Sequence, residues 1–313
     1  MKRLLSAAML CLALTGCKSE QGSDAGTANV IDSRFIADPN SYAQPDKVRI
    51  EHIRLDLSVN MPQRVLKGNA DLALHWLDPE ARQLVLDSRD LKISAVQGFD
   101  GKKWRKLGYK LDAADAMYGS ALRISLPEQY PRVRIVYQTS PEASGLQWLT
   151  PEMTASKQPF MFRQSQAIHA CSWVPLQHTP GVRFTHEVRL RTDPALMGLM
   201  SADNDPKAVR DGEYRFNMPQ KIPSYLLAIA VGDMVFATIS ARSGVWAEPS
   251  VAASAAKEFE DTEKMIQVAE RLYGPYQWGR YDMLILPASF PFGGMENPRL
   301  SFITPTVIVG DKS

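Results

Sequence analysis

Phe292-Gly293-Gly294-Met295-Glu296-Asn297 is the stretch of this sequence whose residue types and spacing suit chemistry. Two consecutive glycines remove side-chain bulk and permit unusual backbone angles. Another backbone can therefore come close, and Glu296 offers a carboxylate at the point of approach. Taken alone, the glycine pair fits a bulge or tight turn with a solvated glutamate equally well. Hydrolytic metal chemistry of the H-E-x-x-H kind needs two histidines one helical turn apart facing one ion, with the intervening glutamate activating water. The five histidines are His52, His75, His169, His178 and His186, and no two are four residues apart. His186-Glu187-Val188-Arg189-Leu190 imitates the first half of that pattern. It ends in leucine, and its apolar and polar residues alternate, which marks His186 as a strand side chain. No serine or cysteine stands in a G-x-S-x-G setting. Cys171, among Ala170, Trp173 and Val174, is expected to be a buried structural thiol.

The elements that must position the glycine-rich stretch read as β first and α/β after. From Val48 to about Val231 the apolar period is two, as in Ile53, Leu55, Leu57 and Val59, in Leu122, Ile124 and Leu126, and in Val182, Phe184, His186, Val188 and Leu190. Each such strand has one buried and one wet face. Asp78-Pro79, Asp100-Gly101, Thr179-Pro180-Gly181 and Asp211-Gly212 separate the runs, predicting an antiparallel sandwich or saddle of sheets. Val251 to Tyr273 is rich in Ala, Glu and Lys and lies between Pro249-Ser250 and Gly274-Pro275, the start and stop signals of a helix. Phe259, Thr262, Met265, Ile266, Ala269 and Leu272 fall near one face of it. Strands are expected at Met283 to Leu286 and Phe302 to Val309. This α/β part reads as stopping before it is complete, which would leave both strands exposed as an aggregation liability.

A length of 313 residues suggests about two domains, and 45% hydrophobic with 22% charged residues is ordinary globular usage. Thirty-six basic against 34 acidic residues leave a net charge of +2, too balanced for a nucleic-acid partner. Lys2 and Arg3 precede the apolar run Leu4 to Leu14, a secretory signal too short to span a bilayer. Leu14-Thr15-Gly16-Cys17 resembles the bacterial lipoprotein cleavage box, which makes Cys17 the lipidation site and a membrane the partner of its anchor. An ordinary signal with a chance cysteine is the alternative. Residues 18–29 read as a flexible tether. With Cys11 removed and Cys17 lipidated, Cys171 alone remains, so no intramolecular disulfide is possible.

The string Gly293-Gly294-Met295-Glu296-Asn297 resembles the exopeptidase motif of the gluzincin zinc aminopeptidases, the family of aminopeptidase N and leukotriene epoxide hydrolase. Gly145 to Pro151, Gln164 to His169, Gly274 to Gly279 and Ser289 to Ser313 resemble the leukotriene-hydrolase-like branch, so the likeness runs from about Pro45 to the end. After the lipoprotein signal peptide (1–16) and tether (17–44), it implies a mainly β fold: an N-terminal antiparallel β sandwich or saddle domain (45–238) followed by the incomplete start of an α/β thermolysin-like catalytic domain (239–313). It implies that Glu296 binds the free α-amine of a peptide by a charge-assisted hydrogen bond. Gly293 and Gly294 would align the substrate backbone, and Gln164, Ser165 and Gln166 would form a pocket lip, with Phe292 and Met295 beside them. Phe292 stands where that branch has tyrosine, so a hydroxyl is missing from the pocket.

The family holds zinc on an H-E-x-x-H helix that would follow Gly310-Asp311-Lys312-Ser313. The chain is therefore expected to be the N-terminal portion of a zinc-dependent metallo-aminopeptidase of the bacterial cell envelope. Its partners are peptides with a free N-terminus. Alone it is expected to bind no zinc and hydrolyse nothing. The alternatives are a non-catalytic envelope lipoprotein with an inherited peptide-binding surface, and one half of an enzyme whose catalytic half is separately encoded.

Overall fold

Residues 37–310 are described by the computed structural model of the protein. The expected signal peptide, Cys17 and most of the tether lie outside the described residues. Ile53, Leu55 and Leu57 alternate with Arg54 and Asp56, and the strand Val48–Asn60 that carries them turns the apolar set wholly inward. It is the third strand of a seven-stranded sheet in the order Glu213–Pro223, Arg183–Arg191, Val48–Asn60, Val65–Trp76, Arg132–Gln138, Lys92–Phe99 and Trp104–Lys106. Its pairing with Arg183–Arg191 is parallel, with Leu55 opposite Val188 and Leu57 opposite Leu190. A purely antiparallel saddle is thus corrected at one seam. Alternation sets which face each strand buries but not the direction of a neighbour 130 residues away, so both directions satisfy the same pattern.

A three-stranded sheet (Gln83–Ser88, Ser120–Ser125, Gly108–Leu111) and a four-stranded sheet (Met197–Met200, Ile229–Gly232, Phe160–Arg163, Leu146–Leu149) are antiparallel throughout. The fourth sheet is mixed, in the order Val235–Thr238, Ser243–Ala247, Tyr281–Ile285, Leu300–Ile303 and Gly294–Met295. Its three central strands are parallel to one another and its two outer strands antiparallel to their neighbours. Parallel strands are covered on both faces, and every residue of these three except Tyr281 and Ile303 is accordingly buried. Trp246, Leu284 and Phe302 join the core shared with the β sheets. Val245, Met283 and Ile285 face Ala252 and Ala255 of helix α1 (Ala252–Glu258).

Three expectations change here. Met283, Leu284 and Phe302 are 2%, 0% and 0% exposed, so the α/β part does not leave these strands bare. The β sheets cover one face and α1 the other. The last strand stops at Ile303, because Thr304-Pro305 opens a 3-10 turn over Pro305–Val307. Proline cannot continue the ladder. The helix expected over 251–273 is two: α1, and α2 (Thr262–Tyr273), which ends at Gly274 with φ +88. Between them the Thr262 hydroxyl donates to the Phe259 carbonyl at 2.7 Å, the local competition that threonine offers a helix. Phe259, Thr262, Met265, Ile266 and Ala269 nevertheless line one groove, with Met283 and Ile303. Thr262 is buried, while Met265 and Leu272 are each 69% exposed.

Candidate functional site

Gly294–Met295 is the outermost strand of the mixed sheet, hydrogen-bonded to Leu300–Ile303 on one side with Gly294 opposite Ile303 and Met295 opposite Phe302. Its other edge presents backbone donors and acceptors, a ready template for an extended chain. Neither glycine is demanded by packing. A Cβ added at Gly293 would meet nothing within 4 Å, and one at Gly294 would make only ordinary contacts with Phe302 and Ile303. Their lack of side chains leaves the edge bare instead. Met295 turns its side chain into the core at 3% exposure, Glu296 follows it exposed, and Phe292 is 47% exposed at the near end.

Gln164 comes to this strand from the four-stranded sheet. Its Nε2 lies 3.7 Å from Met295 Sδ, and its Oε1 accepts the Gln166 backbone N–H at 2.9 Å. Gln166 is exposed. Ser165 points the other way, 1% exposed, with its hydroxyl donating to the Leu227 carbonyl at 3.3 Å. The structure therefore brings Gln164 against Met295, between the exposed Gly294 and Glu296, leaves Gln166 exposed two residues on, and turns Ser165 and Met295 inward. Phe292 packs edge-to-face on the buried Phe290, and Phe290 on the buried Phe162, with centroids 5.8 Å apart at each step.

Beneath the lip, Arg163 is 1% exposed, donates to the Leu227 carbonyl and stacks 4.8 Å from the Trp173 ring. Burial pulls its pKa well below the usual guanidinium value. Burial also pushes the Cys171 thiol up to about 12, which fits the structural thiol expected there. The two strings Gly145 to Pro151 and Gln164 to His169 meet: the Gln164 N–H donates to the Gly145 carbonyl at 3.1 Å, and the His169 ring lies 2.9 Å from the Ser144 hydroxyl. Burial, and then Arg89, lower the His169 pKa. His186 sits in its strand, fully buried, with its pKa pushed down to about 3 by burial.

Among the described residues no group of three or more His, Cys, Asp or Glu side chains converges so as to hold a metal ion. The described residues do not fit zinc. Sequence reasoning missed Arg299, Asp203 and Gln220, which touch one another across 96 and 79 residues of chain. An arginine directly after Asn297-Pro298 carries no local signal of so distant a partner.

Residues 39–226 match the family model described as Peptidase M1 N-terminal domain, and residues 257–313 the one described as Peptidase family M1 domain. The chain belongs to the peptidase M1 family. It is 41% identical over 291 residues to the leukotriene A-4 hydrolase of Xenopus laevis, covering 89% of this chain and 47% of that protein. It is 38% identical over 283 residues to leucine aminopeptidase 2 of Yarrowia lipolytica, covering 88% and 42%. The solved structure of yeast leukotriene A4 hydrolase in complex with bestatin superposes with a TM-score of 0.83 at 32% identity, over 90% of this chain and 44% of that one. The M1 chain described here thus spans about half the length of the curated relatives it matches. Its mainly β architecture, with the mixed sheet appended, is that of the amino-terminal part of these enzymes.

Proposed function

We propose that this M1 chain supplies the substrate-aligning part of a zinc-dependent aminopeptidase acting on peptides with a free N-terminus. The observation that carries the proposal is the bare outer edge of Gly293 to Met295, running directly into the exposed Glu296 and approached by Gln164 at Met295. An extended peptide can add to that edge by main-chain hydrogen bonds. Its α-ammonium, one residue beyond the last strand position, then meets Glu296. An internal stretch of peptide has no charge to offer there, so the site measures the end of a chain. The Gln164 and Gln166 amides both donate and accept, and serve the amine and the first side chain. Phe292 adds an apolar wall without a hydroxyl.

The zinc and the water it activates belong to residues other than the described ones, so we expect the 313-residue chain assayed alone to be inactive. The polar tether, Cys17 and the apolar run before it support placing the protein in the bacterial envelope on a lipid anchor. No helix among the described residues is long and apolar enough to cross a membrane. A non-catalytic role in binding peptides is favoured by one observation, the burial of Met283, Leu284 and Phe302, which lets the chain persist without a covering partner. The decisive experiment isolates the protein from its own cells with an antibody to the β sheets and assays leucyl-coumarylamide beside its N-acetylated form. Cleavage of the free-amine substrate alone, reduced roughly 10- to 100-fold in kcat/KM by Glu296→Gln, supports the enzyme reading. Binding of free-amine peptides without turnover supports the second.

A further inference from the structure

Glu296 opens a four-residue loop, Glu296-Asn297-Pro298-Arg299, that joins Gly294–Met295 to Leu300–Ile303. The loop closes with the Leu300 N–H donating to the Asn297 carbonyl at 3.2 Å, and Arg299 takes the left-handed conformation at φ +68. Only glycine adopts that region freely, so something holds Arg299 there. Its guanidinium, 9% exposed, leaves its own sheet and reaches the β sheets. Nη1 donates to Asp203 Oδ1 at 2.5 Å and Nη2 to Gln220 Oε1 at 3.2 Å. Both acceptors are themselves held. The Asp203 N–H donates to the Asn217 carbonyl at 3.1 Å, and Gln220 Nε2 donates to the Gln277 carbonyl at 2.9 Å. On the other side of Glu296, Gln164 lies against Met295.

We infer that Arg299, through Asp203 and Gln220, is a positioning residue that fixes the loop carrying Glu296 and so aims its carboxylate at a peptide α-amine. The role rests on the proposed recognition of a free amine by Glu296. Met295 is tied to the four-stranded sheet and Arg299 to the seven-stranded sheet, and Glu296 stands exposed between the two ties. A carboxylate on a two-stranded edge hairpin has little else to hold its direction, because one side of that hairpin is open. A positioned carboxylate keeps its hydrogen-bond geometry, and a loose one loses affinity to ordering entropy.

The test uses the recombinant chain, L-leucinamide as the free-amine probe, and N-acetyl-leucinamide as its control. Hydrogen exchange at the amides of residues 294–297 is expected to rise about tenfold in Arg299→Met, with the melting temperature nearly unchanged, because the Asp203 carboxylate left behind is 61% exposed and is solvated by water while methionine fills the buried arginine's place. Leucinamide affinity is expected to fall about tenfold in the same variant and to change no further when Glu296→Gln is added, the non-additivity of two residues acting as one. The exchanged pair Asp203→Arg with Arg299→Asp is expected to restore part of both. Unchanged exchange at 294–297 in Arg299→Met overturns the inference whatever the ligand does. Additive losses with Glu296→Gln overturn it as well, reducing Arg299 to a stabilising contact. If Glu296→Gln alone leaves leucinamide affinity intact, the amine-recognition reading fails, and the assignment of Arg299 to it falls too, even where the exchange result shows the loop is tied.

Discussion

Lowering the pH from 7.5 to 5.0 is expected to destabilise the fold through His186 in particular. The imidazole is fully buried on the inner face of the seven-stranded sheet, beside Ile53 on the parallel neighbour, and neither ring nitrogen has a hydrogen-bond partner among the described residues. Burial holds its pKa at about 3 against an ordinary 6.5, so the folded protein keeps it neutral while the unfolded chain takes up a proton below 6.5. The unfolded state then binds more protons, and stability falls with falling pH from 6.5 towards 3 by about 1.4 kcal/mol per pH unit. At pH 5.0 the loss from this one group is about 2 kcal/mol. His52 and His169, whose pKa values burial also lowers, add to it in the same direction. Urea unfolding of the wild type and His186→Leu at both pH values isolates the share of His186. Leucine strands no hydrogen-bond partner, so the variant tolerates the change in the core. The variant is expected to lose about 2 kcal/mol less than the wild type between pH 7.5 and 5.0. Equal losses in the two proteins refute the reasoning.

Two further predictions test how the site is carried. A Cβ at Gly145 would stand 2.9 Å from the His169 carbonyl oxygen, which cannot swing aside as a side chain can. Gly145→Ala is therefore expected to cost about 1–3 kcal/mol in urea unfolding and to weaken leucinamide binding through the displaced Gln164, and an unchanged midpoint would count against it. Glu248 is 5% exposed and accepts the backbone N–H groups of Ala155 at 3.2 Å and Ser156 at 2.8 Å, tying the mixed sheet to the loop before Phe160. Glu248→Ala is expected to lower stability by about 1–2 kcal/mol, with faster hydrogen exchange at residues 155 and 156, and protected amides there would contradict the tie.

The strands were legible because a half-buried strand writes its two faces into alternate residues. Val48–Asn60, Ser120–Ser125 and Arg183–Arg191 all do so. Helix α2 was legible at its end, where Gly274 takes a positive φ, but not at its start, where a single hydroxyl redirects the chain at Thr262. Apolar character alone suggested that Phe302 to Val309 would be one strand, although Pro305 ends the ladder there. The expected exposure of Met283 and Phe302 failed for a different reason. It assumed that only later residues could cover them, whereas the β sheets and α1 already do. At the candidate site, Gly293, Gly294 and Glu296 announced themselves by local spacing. The ties that hold them, Gln164 to Met295 and Arg299 to Asp203, span 131 and 96 residues and leave no periodic trace.

The most direct test of amine recognition is amide-resolved NMR of the 313-residue chain titrated with L-leucinamide and, separately, with N-acetyl-leucinamide. The account predicts shifts on leucinamide at residues 293–297 and at 164 and 166, absent with the acetylated compound and abolished by Glu296→Gln. Shifts of equal size with the two compounds, or shifts that survive Glu296→Gln, would contradict it.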